Sequence, residues 1–240
     1  MYFSSPPAGA LAIKAITLDL DDTLWPVWPT IERAEALLHQ WLAVHAPATA
    51  GGGAGALRHW RNRLAAEQPD WAHDLSRLRL ESIRGALRAA GDDPALAEPA
   101  FEVFFAARQQ VDCYADVAPA LERLAQRWPI LALTNGNADL QRVGLARWFS
   151  AGQLGAREFG VGKPDARFFA AACERLGQPA AAVLHVGDDA RLDIVGARAA
   201  GLRTAWVRRP GLAAAEVHAD PPQPDWEGAD LNALADWLGA

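Results

Sequence analysis

Cysteine is scarce in this chain: Cys113 and Cys173 are its two thiols in 240 residues. Thiols so few, with no short metal-type spacing, exclude a disulfide scaffold and fit a reducing compartment, where both are expected to be buried and inert. Long apolar runs are also missing, and no stretch reaches the roughly 18 uninterrupted apolar residues of a membrane span. Met1–Gly9 lacks the charged start and apolar core of a signal peptide and is expected to be disordered, so the expected location is the cytoplasm. No Lys/Arg-rich run or basic helix face stands out, and with a net charge of −6 and a pI near 5.5 nucleic acid is not an expected partner. What remains, 51% hydrophobic and 22% charged, suits one large domain or a domain with a substantial insert.

Four apolar runs have the length and composition of buried parallel strands: Ile13–Leu18, Pro129–Thr134, Ala182–Val186 and Arg203–Val207. Helical patterns over Val117–Arg127, Ala138–Trp148, Asp165–Leu176 and Leu192–Ala200 separate the later runs, which predicts an α/β fold with a parallel sheet covered on both faces. Ligands of such sheets bind at the carboxyl ends of the strands.

Between Leu24 and about Asp116 the strand signal gives way to helical periodicity. Ile31, Ala34, Leu38, Trp41 and Leu42 share one face of a first helix, and two more are expected around Ala56–Gln68 and Asp70–Ala90. Pro94 opens a fourth, carrying Leu96, Phe101, Phe104, Phe105 and Val111. Pro47–Gly55 is expected to be a flexible connection, and Pro210–Gly228 a surface excursion before a terminal helix near Leu231–Leu238. The predicted division is a core of residues 10–24 and 117–240 with a helical insert over 25–116.

The chemistry concentrates at the strand ends. Asp19 and Asp21, two apart on extended backbone, can face one reacting group after the first strand. Such a pair can divide nucleophilic attack from general acid and base work. Thr134-Asn135-Gly136 brings a hydroxyl and an amide into a Gly turn, neutral donors suited to phosphoryl oxygens. Lys163 precedes Pro164 at a helix start, where its ammonium could neutralise phosphate charge. Asp188 and Asp193, five apart after Gly187, flank the start of another helix, where carboxylates ordinarily act as caps. Like charges about 4 Å apart cost on the order of 4 kcal/mol per pair at an effective dielectric of 20, so a Mg2+ ion is the natural neutraliser.

These four elements, in this order, resemble motifs I to IV of the haloacid dehalogenase-like (HAD) hydrolases, and the insert resembles the C1 cap of that superfamily's first subfamily above a Rossmann-like core. The resemblance implies that Asp19 attacks phosphorus to form an aspartyl-phosphate, while Asp21 protonates the leaving oxygen and later activates water. It implies that Thr134 and Lys163 hold the phosphoryl oxygens and that Thr23 fixes the turn of motif I beside the substrate. Mg2+ would be held by the Asp19 carboxylate, the Asp21 backbone carbonyl and Asp188, with Asp193 in support. Leu192 stands where many relatives have Asn, and Asp189 adds a carboxylate with no assigned role.

Among HAD chemistries, dehalogenation needs neither Asp21 nor magnesium, and the phosphonoacetaldehyde hydrolase reaction needs a cap lysine that residues 24–116 lack. A phosphomutase, or a binding module that has lost its chemistry, remains as an alternative to a phosphatase. The runs Thr134-Asn135-Gly136-Asn137-Ala138 and Leu184-His185-Val186-Gly187-Asp188-Asp189 look like those of bacterial HAD phosphatases acting on flavin mononucleotide and on 5-amino-6-(5-phospho-D-ribitylamino)uracil. Trp25 and Trp28, just after motif I, and Asn135 are therefore candidate substrate contacts, whereas Trp41 and Trp60 read as insert core. His39, His45, His59 and His73 show no metal spacing. The expected partner is a small phosphorylated metabolite, with no nucleic acid or membrane, and the chain a monomer or weak homodimer.

Overall fold

The strand that leads into the paired aspartates, β1 (Ala15–Leu18), is buried at all four positions because parallel strands flank it on both sides. The computed structural model describes residues 13–211 and 223–240. The expectation for Met1–Gly9 and the middle of the Pro210–Gly228 segment lie outside the described residues. The remaining strands are β2 (Ile130–Thr134), β3 (Gln153–Gly155), β4 (Val183–Gly187), β5 (Arg203–Val207) and β6 (Trp226–Gly228). They form one parallel sheet in the order β3-β2-β1-β4-β5-β6. Leu18 lies opposite both Ala132 and Val186, so β1, β2 and β4 end nearly level and open their loops into one crevice.

Helices α1 (Val27–His45), α2 (Pro47–Gly51), α3 (Gly53–Glu67), α4 (Leu75–Ala90) and α5 (Ala97–Arg108) all lie between β1 and β2. They bury a core of their own, built around Ala34, Leu38, Leu42, Ile83, Leu87 and Phe104, with Trp41 and Trp60 packed at its edge. Along β1 the side chains alternate: Ile16 and Leu18 join α6 (Val117–Ala125) and α10 (Leu231–Leu238) on one face. On the other, Ala15 meets Phe168, Phe169 and Ala172 of α8 (Ala166–Leu176), after the single-turn α7 (Ala156–Phe159). Among the described residues, no helix is long and apolar enough to cross a membrane.

Several local expectations are corrected. No helix forms over Ala138–Trp148. The Asp139 carboxylate accepts from Gln141 and Arg142 N–H, Gly144 turns left-handed at φ 78°, and only a 3-10 turn at Ala146–Trp148 remains. Leu192–Ala200 begins instead as a π-helical turn, Ala190–Val195, before the short α9 (Gly196–Ala199). Pro47–Gly55 is helical: Pro47 starts α2, and Asp92 accepts from both the backbone and the hydroxyl of Thr49 at 2.7 Å. The third insert helix starts only at Leu75, where Asp74 caps the Arg77 N–H. The fourth ends at Arg108, leaving Val111 to pack against the sheet core. Strands β3 and β6 were not legible, since Gln153–Gly155 and Trp226–Gly228 are three-residue edge strands with no apolar run. Cys173 is buried as expected, but Cys113 is exposed, in the segment that returns from α5 to α6.

Leu38 is fully buried at the centre of the insert's core. Leu38→Ala is expected to lower unfolding free energy by about 2–5 kcal/mol, through lost transfer energy and the cavity left behind. Urea unfolding followed by circular dichroism measures it.

Candidate active site

β1 hands its carbonyl edge to a tight turn. The Asp19 N–H still bonds Val186 C=O at 2.9 Å, Leu20 is buried on the opposite side, and Asp22 takes the left-handed conformation at φ 58°. Asp22 Oδ1 accepts from Val27 N–H at 2.9 Å, which starts α1, and the Asp22 N–H donates to Trp25 C=O at 2.9 Å. The turn therefore directs Asp19 to the sheet and Asp21 to the insert. Asp21 receives Trp25 Nε1–H at 2.9 Å and, from α5, Arg108 Nη2–H at 2.5 and 2.6 Å on its two oxygens. A side chain at Gly136 would collide with Asp21 Oδ2, so the turn after β2 needs glycine to leave that carboxylate room.

Lys163 lies beneath Asp19. Its Nζ is 2.7 Å from Asp19 Oδ1 and 2.6 Å from Asp193 Oδ1, with the ammonium itself almost fully buried. Asn135 holds the lysine backbone at both ends, accepting from Lys163 N–H at 2.7 Å and donating to its C=O at 2.8 Å. Asp193 is fully buried and fully occupied: Oδ1 also takes His185 Nε2–H at 3.0 Å and Oδ2 takes Asp189 N–H at 2.9 Å. Because a carboxylate only accepts, His185 donates from Nε2 and accepts the Thr17 hydroxyl on Nδ1 at 2.9 Å. The π-helical turn makes this packing possible, since its wider ring brings Asp193 back over Gly187, where a Cβ would collide with it. Asp189 has a structural task as the cap of that turn, accepting from Arg191 and Leu192 N–H at 2.8 and 2.7 Å.

Burial governs the electrostatics. It raises the Asp19 carboxyl to about 7, against the pull of Lys163 and with Asp193 adding to the rise. It raises Asp188 to about 9, aided by repulsion from Asp193 and Asp19. Burial opposes charge on Lys163 and Asp193 as well, yet attraction wins: Asp19 and then Asp193 hold the lysine above its ordinary value, and Lys163 with His185 holds Asp193 well below its own. Burial holds His185 below the usual imidazole value. Asp19, Asp188 and Asp193 each bring a carboxylate oxygen within 4.8 Å of the others. One ammonium among three carboxylates leaves negative charge uncompensated, and hard oxygen donors of this kind suit a hard divalent cation.

Above Asp21 lies a cleft of about 230 Å³ between the insert and the sheet, lined by Asp21, Gly136 and Asn137 below and by Trp28, Leu75 and Arg108 above. The insert touches the core here: Asn137 Nδ2–H donates to Ser76 Oγ at 3.2 Å, and Gln109 pairs with Asn137 C=O and Asp139 N–H. Of the anticipated substrate contacts, Trp28 alone lines the cleft, and it is 64% exposed. Thr23 is fully buried and donates to Asp188 Oδ1 at 2.6 Å, so it braces the acid cluster instead of facing a ligand. Trp25 is fully buried and supports Asp21, and Asn135 fixes Lys163. Thr134 Oγ1 accepts from Gly136 N–H at 2.9 Å, which leaves its own proton free to donate. Arg108 and His185 were not anticipated. Arg108 sits in an insert rich in surface arginines and His185 in an apolar strand, so neither carries a sequence signal.

A parallel sheet with strand-end aspartates around a buried lysine, overlaid by an inserted helical module, defines an α/β protein with an acidic site at the carboxyl edge of its sheet. The model of the haloacid dehalogenase-like hydrolases matches residues 13–201, and the chain belongs to that family. It is 34% identical over 200 residues, 82% of this chain and 84% of the relative, to 5-amino-6-(5-phospho-D-ribitylamino)uracil phosphatase YigB of Escherichia coli K12. It is 39% identical over 145 residues, 58% of this chain and 57% of the other, to phosphoserine phosphatase of Thermus thermophilus. A solved structure described as 2-haloacid dehalogenase from Pseudomonas syringae pv. tomato superposes with a TM-score of 0.85 at 41% identity, covering 95% of this chain and 98% of that one. The two phosphatase relatives place the chain among the family's phosphatases.

The raised carboxyls carry a stability consequence. A carboxyl whose folded value exceeds its ordinary 3.8 binds its proton more tightly when folded, so it favours the fold at low pH and loses that contribution as pH rises through the folded value. Metal-free protein should therefore lose melting temperature between about pH 4 and pH 9, with Asp19 and Asp188 responsible. Asp188→Asn is expected to flatten that decline and to melt above wild type at pH 8 in the presence of a chelator, as read by calorimetry across pH.

Proposed function

We propose that the protein hydrolyses phosphomonoesters with magnesium through an aspartyl-phosphate on Asp19, beneath residues 25–116 acting as a cap. The observation that carries this reading is the buried contact of Lys163 with Asp19 at 2.7 Å beside Asp188 and Asp193. Asp19 attacks phosphorus as the bond to the leaving oxygen breaks, and Asp21 gives that oxygen a proton. Water then attacks the same phosphorus, surrendering its proton to Asp21 and freeing inorganic phosphate and Asp19. Thr134 and Lys163 hold the phosphoryl oxygens. Mg2+ would be held by the Asp19 carboxylate, the Asp21 backbone carbonyl and Asp188, and when bound it offsets negative charge building on the phosphoryl group. Asp193, saturated by Lys163, His185 and Asp189, supports from behind.

The substrate we infer is a small phosphomonoester with an aromatic head, flavin mononucleotide or 5-amino-6-(5-phospho-D-ribitylamino)uracil. Its support is the named activity of the E. coli relative and the exposed Trp28 at the cleft. Trp25, being buried, is assigned to positioning Asp21. The 41% identical neighbour described as a dehalogenase raises a second reading, displacement of halide from a 2-haloacid by Asp19. That reaction has no use for Asp21 as an acid or for the uncompensated acid cluster.

Rapid-quench detection of protein-bound phosphate tests the chemistry. Asp19→Asn is expected to lose both turnover and phosphoenzyme, whereas Asp21→Asn keeps the nucleophile but turns over at least about 100-fold more slowly, the usual worth of a positioned acid–base group. Release of chloride from 2-chloropropionate with no phosphate release from any ester would replace the phosphatase reading with the dehalogenase one.

For substrate choice, only contacts to the leaving group can separate one phosphomonoester from another. The two aromatic phosphates should exceed a simple sugar phosphate in kcat/KM, and Trp28→Ala should shrink that ratio. Equal kcat/KM for all three, unmoved by the substitution, rejects the aromatic substrate.

A further inference from the structure

Among the described residues, Arg108 is the arginine whose side chain passes from the insert to Asp21 of the core. It closes α5, is 1% exposed, and holds both oxygens of Asp21 through a single nitrogen, Nη2. Its second terminal nitrogen, Nη1, has no such contact. Among the described residues it is one of three buried polar side-chain atoms without a hydrogen-bond partner, and the side chain lines the cleft. A guanidinium presents its donors as a planar fork suited to two acceptors at once, and here half of the fork is idle. A buried donor left unpaired is costly, and such costs persist where a ligand is meant to supply the partner.

Asp21 points the same way. Trp25 Nε1–H already occupies Oδ1, and Arg108 Nη2–H lies against both oxygens. Before Asp21 can face the ester oxygen of a substrate, the guanidinium must yield one of those oxygens. The exchange is favourable when the substrate offers an acceptor in return. Nη1 and Nη2 share one carbon, so that acceptor must lie within about three bonds of the ester oxygen that Asp21 serves. The phosphoryl oxygens do not supply it, since Lys163 and Thr134 serve them and neither residue lines the cleft. The acceptor therefore belongs to the leaving group.

Resting on the phosphomonoesterase reading, we propose that Arg108 is a specificity-determining residue, donating through Nη1 to an oxygen on the carbon next to the ester-bearing carbon. The substrate class is then the vicinally oxygenated phosphomonoesters, those with a hydroxyl, carbonyl or carboxylate at that position. Plain alkyl phosphates fall outside it. The cleft's charge agrees: Arg61 and Arg79 share Glu35 at 4.0 and 3.0 Å, and Arg108 has Asp21, so three cations face two carboxylates.

The test compares 2-hydroxypropyl phosphate with n-propyl phosphate, which differ by the vicinal hydroxyl, and uses 3-hydroxypropyl phosphate as the displaced-hydroxyl control. Wild type with magnesium should prefer the 2-hydroxy ester by about 10- to 100-fold in kcat/KM over both, the usual range for a hydrogen bond from a charged donor. Arg108→Lys, which keeps the cation and the apolar stem but loses the fork, should bring the ratio below about threefold, as should Arg108→Met. Circular dichroism verifies the fold, and if Arg108→Met does not fold, the wild-type and Arg108→Lys ratios decide. A wild-type ratio near one, or a high ratio unchanged in a folded Arg108 variant, overturns the proposal while leaving the phosphatase reading intact. Failure of wild type to hydrolyse any phosphomonoester overturns both.

Discussion

The Lys163 ammonium, held between Asp19 and Asp193 at 2.7 and 2.6 Å, is the interaction on which the rest of the site depends. A cation that deep carries a large desolvation penalty, and a lone carboxylate beside it would carry another. The fold meets both by bringing the ends of three segments together: Asp19 after β1, Lys163 before α8 and Asp193 in the turn after β4. Each neighbour then has a defined task. Asn135 fixes the lysine backbone, His185 and Thr17 fix Asp193, and the glycines at 136 and 187 clear the space that the carboxylates occupy. The arrangement is rigid because its members are mutually satisfied, which is the form in which a buried polar network favours one structure.

Asp188 stands outside that balance. Thr23 and the backbone bond from Trp206 Nε1–H orient it, yet among the described residues no cation pairs with it, and its carboxyl is raised to about 9. Its neighbours in the cluster are the Asp19 and Asp193 carboxylates, oxygen donors that suit a hard cation. A buried carboxyl raised in this way is one that a bound cation would stabilise.

The ties between insert and core are of different kinds. At the linkers, buried Arg209 donates to Thr23 C=O and pairs with Asp116, which in turn accepts from Leu231 N–H, so both crossings are anchored to one side chain. At the cleft, beside the bonds of Ser76 and Gln109 to the loop after β2, Arg108 lies on Asp21, the proposed acid–base group. The first tie is independent of any ligand, whereas the second is made with atoms that a ligand would claim.

Much of this was legible in the residues alone, and the boundary follows a physical line. The apolar runs before Asp19, Thr134 and Asp188 announced buried parallel strands, because a strand covered on both faces must be apolar throughout, and the polar residues ending each run marked the crevice. The apolar periodicity of 25–116 likewise disclosed the helices of the insert. What the chain could not disclose was whatever depends on a partner distant in sequence. Edge strands β3 and β6 exist because a neighbour supplies one row of hydrogen bonds, and Ala138–Trp148 fails to become a helix because Asp139 and Gly144 close a tighter turn. The resemblance puts Thr23 in the motif I turn beside the substrate and Trp25 follows that motif directly, but folding turns one to Asp188 and the other to Asp21 itself. Arg108, 87 residues from Asp21, looks in sequence like any other helix-terminal arginine. Local pattern determines which segments are strands and which residues stand at their ends, because burial and periodicity are short-range properties. Only the tertiary structure decides which charges meet, because that depends on loops closing over scores of residues.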